Sequence, residues 1–359
     1  MIVGACGFGS TGSSVVTDYL KEFDGIQVKD DLEFTYVSGT DGLLYLERAV
    51  MHPFNRTADS INAIRRFQEM VANKKSIYVK YGLSPELFEE SANNLIDTIS
   101  MAKWYWYDGD KKSYSPQFLL KKFLRYKLIP RIERKTGHRV DRWPKTEVQL
   151  SVKPDNFYIA AKKHVKELLN GMGLDTNRMI ALDQPFSGNN PQACFPFYDD
   201  PYAIVVDRDP RDNYVFAKTM LHGEYFCPVD VDDYIAYYRC LRRKQPYLQQ
   251  DPRILRIRFE EMVYEYDATT KKIRDLLHLP DNPRPKSVFD PSLSIANTQV
   301  YRRYPQYADD VRKIEKELTE YLFDFSKYKE DPTTKRMFSG KSPLHDSFDK
   351  RKWQNNNSH

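Results

Sequence analysis

The start of the chain places a short apolar segment, a glycine-rich stretch and an amphipathic segment in direct succession. Residues 2–6 (IVGAC) are small and apolar, which predicts a buried β-strand. Within residues 13–23 the apolar side chains recur on one face of a helix. The stretch between them, Gly7-x-x-x-x-Gly12-Ser13-Ser14, has the spacing of a phosphate-binding P-loop, with Ser13 where that pattern has lysine. A strand, a glycine-rich turn and a helix in this order indicate an α/β protein.

The glycine-rich turn is a candidate anion-binding site even without the lysine. Glycine permits positive φ and lets an anion approach the backbone closely. The first N–H groups of a helix have no partner within it, and the helix dipole is positive at that end. The alternative is a glycine-rich turn that binds nothing. The candidate binding residues are Gly7, Phe8, Gly9, Ser10, Thr11, Gly12, Ser13 and Ser14.

Further along the chain, predicted strands and helices alternate. This order predicts a parallel, doubly wound sheet with helices on both faces, in which ligands bind at the carboxyl ends of the strands. After the first strand, the predicted strands lie in "GIQVKDDLEF" (a short strand, then an acidic turn), "SIYVKYG", "RMIALDQP", "PYAIVVDRDP" and "RILRIRFEEMV" (a strand, then a turn). Helices are predicted over residues 57–74, 85–103 (with Ser84 as N-cap), 118–134, in "NFYIAAKKHVKELLNGMG" and in "ATTKKIRDLLHL".

A second informative stretch, residues 202–218, reads YAIVVDRDPRDNYVFAK. Its apolar strand delivers Arg208 and Arg211 at the carboxyl end, and Pro210 suits the first turn of a helix. Two guanidinium groups at that edge favour a second anionic group, because arginine binds phosphate in a bidentate manner. The alternative is an ion-pair corner between arginine and aspartate.

The charge of this chain of 359 residues is unevenly distributed. Residues 103–153 hold fourteen Lys and Arg against five Asp and Glu, interleaved with aromatic residues. Such a segment suits sugars, which stack on rings, and anionic polymers, nucleic acid included. The alternative is an amphipathic helix over residues 118–134 with a solvated basic face.

Other features point to a cytoplasmic protein. No apolar run reaches the roughly 20 residues of a membrane span, and the N-terminus lacks the pattern of a signal peptide. Four scattered cysteines predict reduced thiols and suggest no metal site. From about residue 326 the chain turns polar, which predicts a loosely ordered tail over residues 326–359.

Taken together, the two anion motifs resemble those of sulfotransferases that use 3′-phosphoadenosine 5′-phosphosulfate (PAPS). Ser10-Thr11-Gly12-Ser13-Ser14 is similar to that family's 5′-phosphosulfate loop, and Arg208-Asp209-Pro210-Arg211-Asp212 matches its 3′-phosphate motif. The segment "LRIRFEEMVYEYDATTKKIRDLLHLP" resembles a later family segment. The resemblance spans residues 2 to about 325, and the basic aromatic segment 103–153 has no counterpart in it.

The resemblance implies a fold related to P-loop kinases and an enzyme of the bacterial carbohydrate-sulfotransferase kind. PAPS would be the sulfuryl donor and adenosine 3′,5′-bisphosphate the product, with no metal required. The expected acceptor is a hydroxyl, or an amine, of a carbohydrate. It would bind to an insertion over residues 103–153, within a sulfotransferase domain of residues 1–325. No nucleic-acid partner and no transmembrane segment are expected, whereas peripheral membrane contact is compatible with the basic segment.

Two positions depart from the family pattern. Ser10 stands where the family has a basic residue that contacts the donor, and Phe216 stands where a serine often follows the arginine. We expect Lys218 to compensate at the 3′-phosphate and Lys80, at a predicted strand end, to compensate at the leaving group. Arg302 and Arg303 are the candidates for a basic loop that covers the donor, the alternative being two surface arginines.

An alcohol acceptor also has to lose a proton, which a carboxylate or histidine within reach can accept. Several carbohydrate sulfotransferases place a glutamate just after the second strand, which corresponds here to Glu33, with Asp31 as a competitor. Weaker candidates are His52, His138 and His222. Two other functions remain open at this stage: a P-loop nucleotide or small-molecule kinase, and a catalytically inert nucleotide-binding module on the same fold.

Overall fold

The computed structural model describes residues 1–55, 57–107, 116–138, 145–220, 227–243, 251–329 and 332–334. Its centre is a sheet of five parallel strands: β1 Ile2–Cys6, β2 Ile26–Glu33, β5 Met179–Asp183, β6 Pro201–Asp207 and β7 Ile254–Arg258. Their order across the sheet is β2-β5-β1-β6-β7. A second sheet pairs β3, Ala102–Tyr107, with β4, Lys145–Leu150, in antiparallel register.

Helices cover both faces of the five-stranded sheet. One apolar cluster joins Val3 and Ala5 of β1 to Val16 and Ile273, whereas another joins Cys6 to residues of the helices between β2 and β5. The α-helices are Ser14–Leu20, Leu43–Met51, Ala58–Val79, Pro85–Ile99, Pro116–Thr136, Phe157–Gly171, Pro210–Met220, Val231–Arg242, Phe259–Tyr264, Tyr266–Leu277, Pro291–Ser294 and Ala308–Glu317. The predicted α/β class, with a parallel sheet wound on both sides, is confirmed.

The predicted strand in "SIYVKYG" is wrong, because the helix that begins at Ala58 continues to Val79. Phe67, Met70, Val71 and Tyr78 are buried, and this spacing of three, four and seven residues keeps one helical face towards the core. Lys80 is therefore the residue that ends a helix, and it is not at the end of a strand.

Three other segments differ from the prediction. The acidic turn predicted after the second strand is part of β2, which reaches Glu33 with a register shift after Lys29. The helix predicted to reach residue 103 ends at Ile99, and β3 follows it. The turn predicted after β7 is a short helix, Phe259–Tyr264.

The ends of the other predicted elements agree closely with the structure. Ser84 caps the helix Pro85–Ile99 by accepting a hydrogen bond from the N–H of Leu87 at 3.0 Å. The basic segment contains the expected helix, here Pro116–Thr136. Of the predicted tail, the structure describes only residues 326–329 and 332–334, and Tyr328 stacks on Tyr264 with ring centroids 4.3 Å apart. In the part of the chain that the structure describes, no helix combines the length and the apolar character needed to span a bilayer.

Candidate functional site

The glycine-rich loop connects β1 to the helix Ser14–Leu20 at the carboxyl edge of the parallel sheet. Gly9, Ser10 and Gly12 have φ values of 82°, 55° and 83°. Gly12 is followed by Ser13 in the right-handed helical region, and such a left-handed and right-handed pair turns successive N–H groups towards one concavity, an arrangement that binds anions. The side chain of Ser13, the N-cap residue, makes no capping hydrogen bond.

Gln184, the first residue after β5, fixes both ends of the loop. Its Oε1 accepts a hydrogen bond from the Gly7 N–H at 3.2 Å, and its Nε2 donates to Ser13 Oγ at 2.9 Å. Within the loop, Thr11 Oγ1 accepts from the Phe8 N–H at 3.1 Å. The loop is therefore held by side-chain contacts on both sides.

Close packing requires glycine at two positions, Gly12 inside the loop and Gly188 outside it. A Cβ on Gly12 would lie 2.7 Å from Cδ2 of the Phe259 ring, in addition to the strain of its positive φ. A Cβ on Gly188 would lie 2.4 Å from the carbonyl oxygen of Gly7. The backbone around Gly188 consequently lies directly against the start of the loop.

Arg208, at the carboxyl end of β6, joins the second sequence motif to the loop. Its Nη1 donates to the Ser10 carbonyl at 3.3 Å, and the amide of Asn213 donates to the Gly9 carbonyl at 3.1 Å. The guanidinium carbon lies 4.7 Å from the centroid of Phe216 and 5.1 Å from that of Phe259. The two predicted anion motifs are therefore in direct contact, and Phe216 stacks on the arginine.

Two buried polar atoms at this contact could form further hydrogen bonds. Within the described residues, Arg208 Nε and Ser10 Oγ are buried without a hydrogen-bond partner. Buried polar atoms are almost always satisfied, so such atoms at a loop edge indicate a place where a ligand supplies the partner. One is a donor and the other can donate or accept, which suits the oxygen atoms of an anion.

Arg211 and Lys218 are engaged in contacts with other residues. Arg211 donates to both carboxylate oxygens of Asp209, at 2.9 and 2.8 Å, and to Glu315 at 2.9 Å. Lys218 Nζ lies 3.1 Å from Asp310 and is within hydrogen-bond distance of the Tyr214 hydroxyl. Their predicted roles at the donor stay predictions, but both would have to leave these partners to perform them.

The segment with Arg302 and Arg303 forms a 3-10 helix, Val300–Arg303, beside the start of helix Pro210–Met220. The Tyr301 N–H donates to Asp212 Oδ1 at 3.2 Å. Arg303 donates to the carbonyls of Ala296, at 2.9 Å, and of Pro332. Arg302 is exposed and lies over the Tyr301 ring. Their covering role remains a prediction.

Acidic side chains are buried behind Arg208. Asp212 and Glu260 are fully buried, and burial, followed by neighbouring acids, raises the pKa of Glu260 to about 8. Burial likewise raises the pKa of Asp212 to about 7, although Arg208 opposes the shift. Glu260 accepts a hydrogen bond from the Asp209 N–H at 3.0 Å, which ties this cluster to the Arg208 motif.

A pair of carboxylates lies at the ends of β2 and β5. Glu33 is exposed and is the register partner of Asp183, the last residue of β5. Burial, with the charges of Glu33 and Asp30, raises the pKa of Asp183 to about 7, and its buried Oδ1 has no hydrogen-bond partner among the described residues. Asp31, the competitor of Glu33, is exposed and pairs with Lys29 at 3.1 Å. Asp183 is not among the residues predicted from the sequence. The polar pair Asp183-Gln184 follows the apolar residues of β5 directly, and that pattern could have indicated it.

Arg256, in the middle of β7, is a second residue that the sequence did not reveal. Its Nη1 donates to the Gly188 carbonyl at 3.1 Å, and Gly188 lies against Gly7. Its Nε and Nη2 are buried without a hydrogen-bond partner in the described part of the chain, and burial lowers its pKa. A cation with unused donors therefore lies beside the start of the loop.

The other predicted residues lie in different surroundings. Lys80 is exposed at the end of its helix, and His138 is exposed after helix Pro116–Thr136. His52 is exposed and lies 3.4 Å from Glu47, and His222 falls outside the described residues. Among the residues described, no group of three or more His, Cys, Asp or Glu side chains is arranged to hold a metal ion.

Comparison with known proteins gives little further information. No protein-family model matches the chain, and no curated protein matches it. Among solved structures, the crystal structure of sulfotransferase STF9 from Mycobacterium avium aligns over 91% of this chain and 77% of that chain. The sequence identity is 11% and the TM-score is 0.34, so this likeness adds nothing to the argument from the site.

Proposed function

We propose that this protein is a sulfotransferase that moves a sulfuryl group from PAPS to a hydroxyl of a carbohydrate acceptor. The observation that carries the proposal is the contact of Arg208 Nη1 with the Ser10 carbonyl at 3.3 Å. This contact brings two anion-binding motifs of the kind found in PAPS-dependent enzymes together at one edge of the sheet. A donor with phosphate on both its 3′ and its 5′ oxygens needs two such motifs side by side.

In this proposal the loop N–H groups hold the 5′-phosphosulfate and Arg208 holds the 3′-phosphate. The spare donor at Arg208 Nε and the hydroxyl of Ser10 supply hydrogen bonds to phosphate oxygens. Phe216, where a serine often occurs in the family, stacks on the guanidinium and fixes its plane instead of contacting the phosphate. The aromatic ring thus orients the arginine.

Arg256 takes over the electrostatic role that the serine at position 10 cannot perform. During transfer the sulfur–oxygen bond to the leaving phosphate breaks as the bond to the acceptor oxygen forms, and negative charge grows on the phosphate. A fixed cation next to the loop stabilises that charge without reorganisation. Arg256 lies beside Gly188 and Gly7 and has two donors unused by the described residues.

Asp183 is the base that we favour for the acceptor hydroxyl, with Glu33 as the alternative from the sequence. A base works best with a pKa near the operating pH, and the pKa of Asp183 is raised to about 7. It directly precedes Gln184, which contacts the loop at both ends. Glu33, exposed beside it, contributes negative charge that helps to keep that pKa high.

The carbohydrate acceptor is the part of the proposal that rests on the inserted segment. Trp104 and Trp106 on β3 stack with ring centroids 5.8 Å apart, and such flat surfaces suit sugar rings. The cations of the same segment would favour an acceptor that is itself anionic.

The proposal is tested with PAPS labelled with ³⁵S in the sulfuryl group and a panel of neutral and acidic oligosaccharides, with a chelator present. We expect label in an acceptor and an equal amount of adenosine 3′,5′-bisphosphate. Magnesium-dependent transfer of the γ-phosphate of ATP, without transfer from PAPS, would establish a kinase instead. Tight binding of adenosine 3′,5′-bisphosphate without any turnover over the whole panel would favour the inert module.

A further inference from the structure

The helix Pro116–Thr136 exposes large apolar side chains along its length. Five of them, separated by steps of three, one, four and four residues, are each more than two-fifths exposed. At about 1.5 Å per residue, this apolar stripe is about 18 Å long. Its members are Leu120, Phe123, Leu124, Leu128 and Ile132.

Cations share the exposed side of this helix. Lys127, Arg131, Arg134 and Lys135 are exposed, and at about 100° per residue all four fall within the arc covered by the apolar stripe. By sequence the helix has seven basic residues against a single acidic one, Glu133. The exposed surface is therefore apolar and positively charged at once.

We propose that the helix Pro116–Thr136 lies on the surface of an anionic lipid bilayer. Apolar side chains enter the boundary between headgroups and acyl chains, while clustered Lys and Arg bind anionic headgroups. This inference does not depend on the proposed donor site, since it uses neither the glycine-rich loop nor the Arg208 motif.

The intermingling of the two kinds of side chain favours a bilayer over other partners. In a dry protein interface, Lys127 and Arg131 would be buried among apolar groups at a high desolvation cost. At a bilayer their long side chains reach up to the headgroups while their methylene groups stay beside the apolar stripe. A soluble polyanion would attract the cations but would leave the stripe exposed to water.

The strand β3, which opens the same inserted segment, adds a residue typical of membrane interfaces. Tyr105, on the face of the strand opposite to Trp104 and Trp106, is 68% exposed. Tyrosine and tryptophan are enriched at the level of the headgroups, because their rings are apolar and carry one polar atom. The aromatic strand and the basic apolar helix therefore favour the same kind of partner.

The test is sedimentation of the full-length protein with vesicles of phosphatidylcholine alone or mixed equally with phosphatidylglycerol, without any nucleotide. We expect at least ten-fold stronger binding to the anionic vesicles and weaker binding as salt increases. The double variants Leu124→Gln/Leu128→Gln and Arg131→Glu/Lys135→Glu should each bind the anionic vesicles at least ten-fold more weakly than the unaltered protein. Two controls carry similar changes at exposed sites elsewhere: the single apolar change Ile159→Gln and the double charge change Lys166→Glu/Lys316→Glu. Both should bind like the unaltered protein.

Equal binding to both kinds of vesicle, or to neither, would overturn the inference, as would controls that lose as much binding as the helix variants. If the charge variant loses binding while the apolar variant keeps it, and heparin displaces the protein from vesicles, the surface is a polyanion site. Thermal melting of each variant shows whether it is folded. Binding of adenosine 3′,5′-bisphosphate should be retained by the helix variants, because the helix contains neither the glycine-rich loop nor the Arg208 motif. Failure of the membrane inference therefore leaves the donor site of the sulfotransferase proposal untouched.

Discussion

At the scale of single residues, Gly12 is a position where an added side chain would disturb the shape of the loop. Gly12→Ala places a Cβ 2.7 Å from the Phe259 ring and forces an alanine into a conformation with φ of 83°. We expect a loss of about 1–2 kcal/mol of stability from the backbone alone, and binding of adenosine 3′,5′-bisphosphate weakened at least ten-fold. Calorimetry and thermal melting measure both effects.

Gly25→Ala is the control for this change, because nothing lies within 4 Å of a Cβ there and its φ is not positive. It should bind the nucleotide like the unaltered protein. If Gly12→Ala binds equally well, the loop does not hold the nucleotide.

Arg256 provides a test of the charge beside the loop. Arg256→Gln should lower sulfuryl transfer by about 10²–10³-fold, the usual cost of removing one donor aimed at developing charge. Arg253→Gln removes a charge just before the same strand, where Arg253 pairs with Asp251 at 2.7 Å, and should leave turnover nearly unchanged. Similar turnover in the two variants would argue against any role of Arg256 in the reaction.

The two carboxylates at the ends of β2 and β5 can be separated by their pH profiles. With Asp183 as the base, Asp183→Asn should cost about 10²–10⁴-fold in turnover with a hydroxyl acceptor, and nucleotide affinity should hardly change. Turnover of the unaltered protein should rise with pH around 7, where Asp183 loses its proton.

Glu33→Gln then serves as the discriminating variant. Removing the charge of Glu33 lowers the pKa of Asp183, so the rise in turnover should move to lower pH while the maximal rate changes little. A loss of 10²–10⁴-fold in Glu33→Gln with a mild effect of Asp183→Asn would instead make Glu33 the base.

At the scale of elements, helices Pro210–Met220 and Phe259–Tyr264 bring buried acids together, which makes stability depend on pH. The pKa of Glu260 is about 8 in the folded protein and near 4.5 in an unfolded chain. Its stabilising contribution is therefore complete below about pH 4.5 and is lost as pH rises through about 8. Glu260→Gln should reduce the fall in melting temperature between pH 6 and pH 9, which calorimetric scans would measure.

Glu320→Gln is the matched control, because Glu320 is exposed in a 3-10 helix outside this cluster. Its melting temperature should follow that of the unaltered protein at every pH. Parallel pH curves for Glu260→Gln and the unaltered protein would show that Glu260 is not buried in its protonated form.

The elements of the chain differ in how far their sequence determines them. Strands β1, β5 and β6 were predictable because each is a short apolar run of small or branched residues, buried on both faces. The segment "SIYVKYG" has the same local character, yet the buried face that starts at Phe67 continues through it as a helix. Tertiary packing therefore determines the helix in this segment, and a local sequence pattern does not reveal such packing.

The acidic part of β2 and the strands of the second sheet illustrate another limit. Four of the five residues from Lys29 to Glu33 are charged, and they belong to β2 because Lys29 and Glu33 both pair with β5, with a register shift between them. The pairing of Trp104 with Val148 likewise joins residues on either side of a long inserted segment. Contacts between distant parts of the chain are not visible in a local sequence window.

At the scale of the whole molecule, the strand order explains which part of the site could be predicted. The loop and the Arg208 motif were recognisable because each is a continuous stretch of sequence with a specific spacing. The strand order brings other residues close to the loop that follows β1. The strand β5, next to β1, contributes Asp183 and is followed by Gln184, and β7, on the far side of β6, contributes Arg256. Sequence alone gives no order of strands, so these residues were found only in the structure.

Nucleotide binding shows whether the loop and Arg208 together hold the 5′-phosphate and the 3′-phosphate of one nucleotide. Calorimetry should show that adenosine 3′,5′-bisphosphate binds much more tightly than AMP, since only the former engages both motifs. Arg208→Ala should remove most of that preference, about 1.5–3 kcal/mol or roughly 10- to 150-fold. Equal affinity for the two nucleotides, or a preference unaffected by Arg208→Ala, would contradict the assignment.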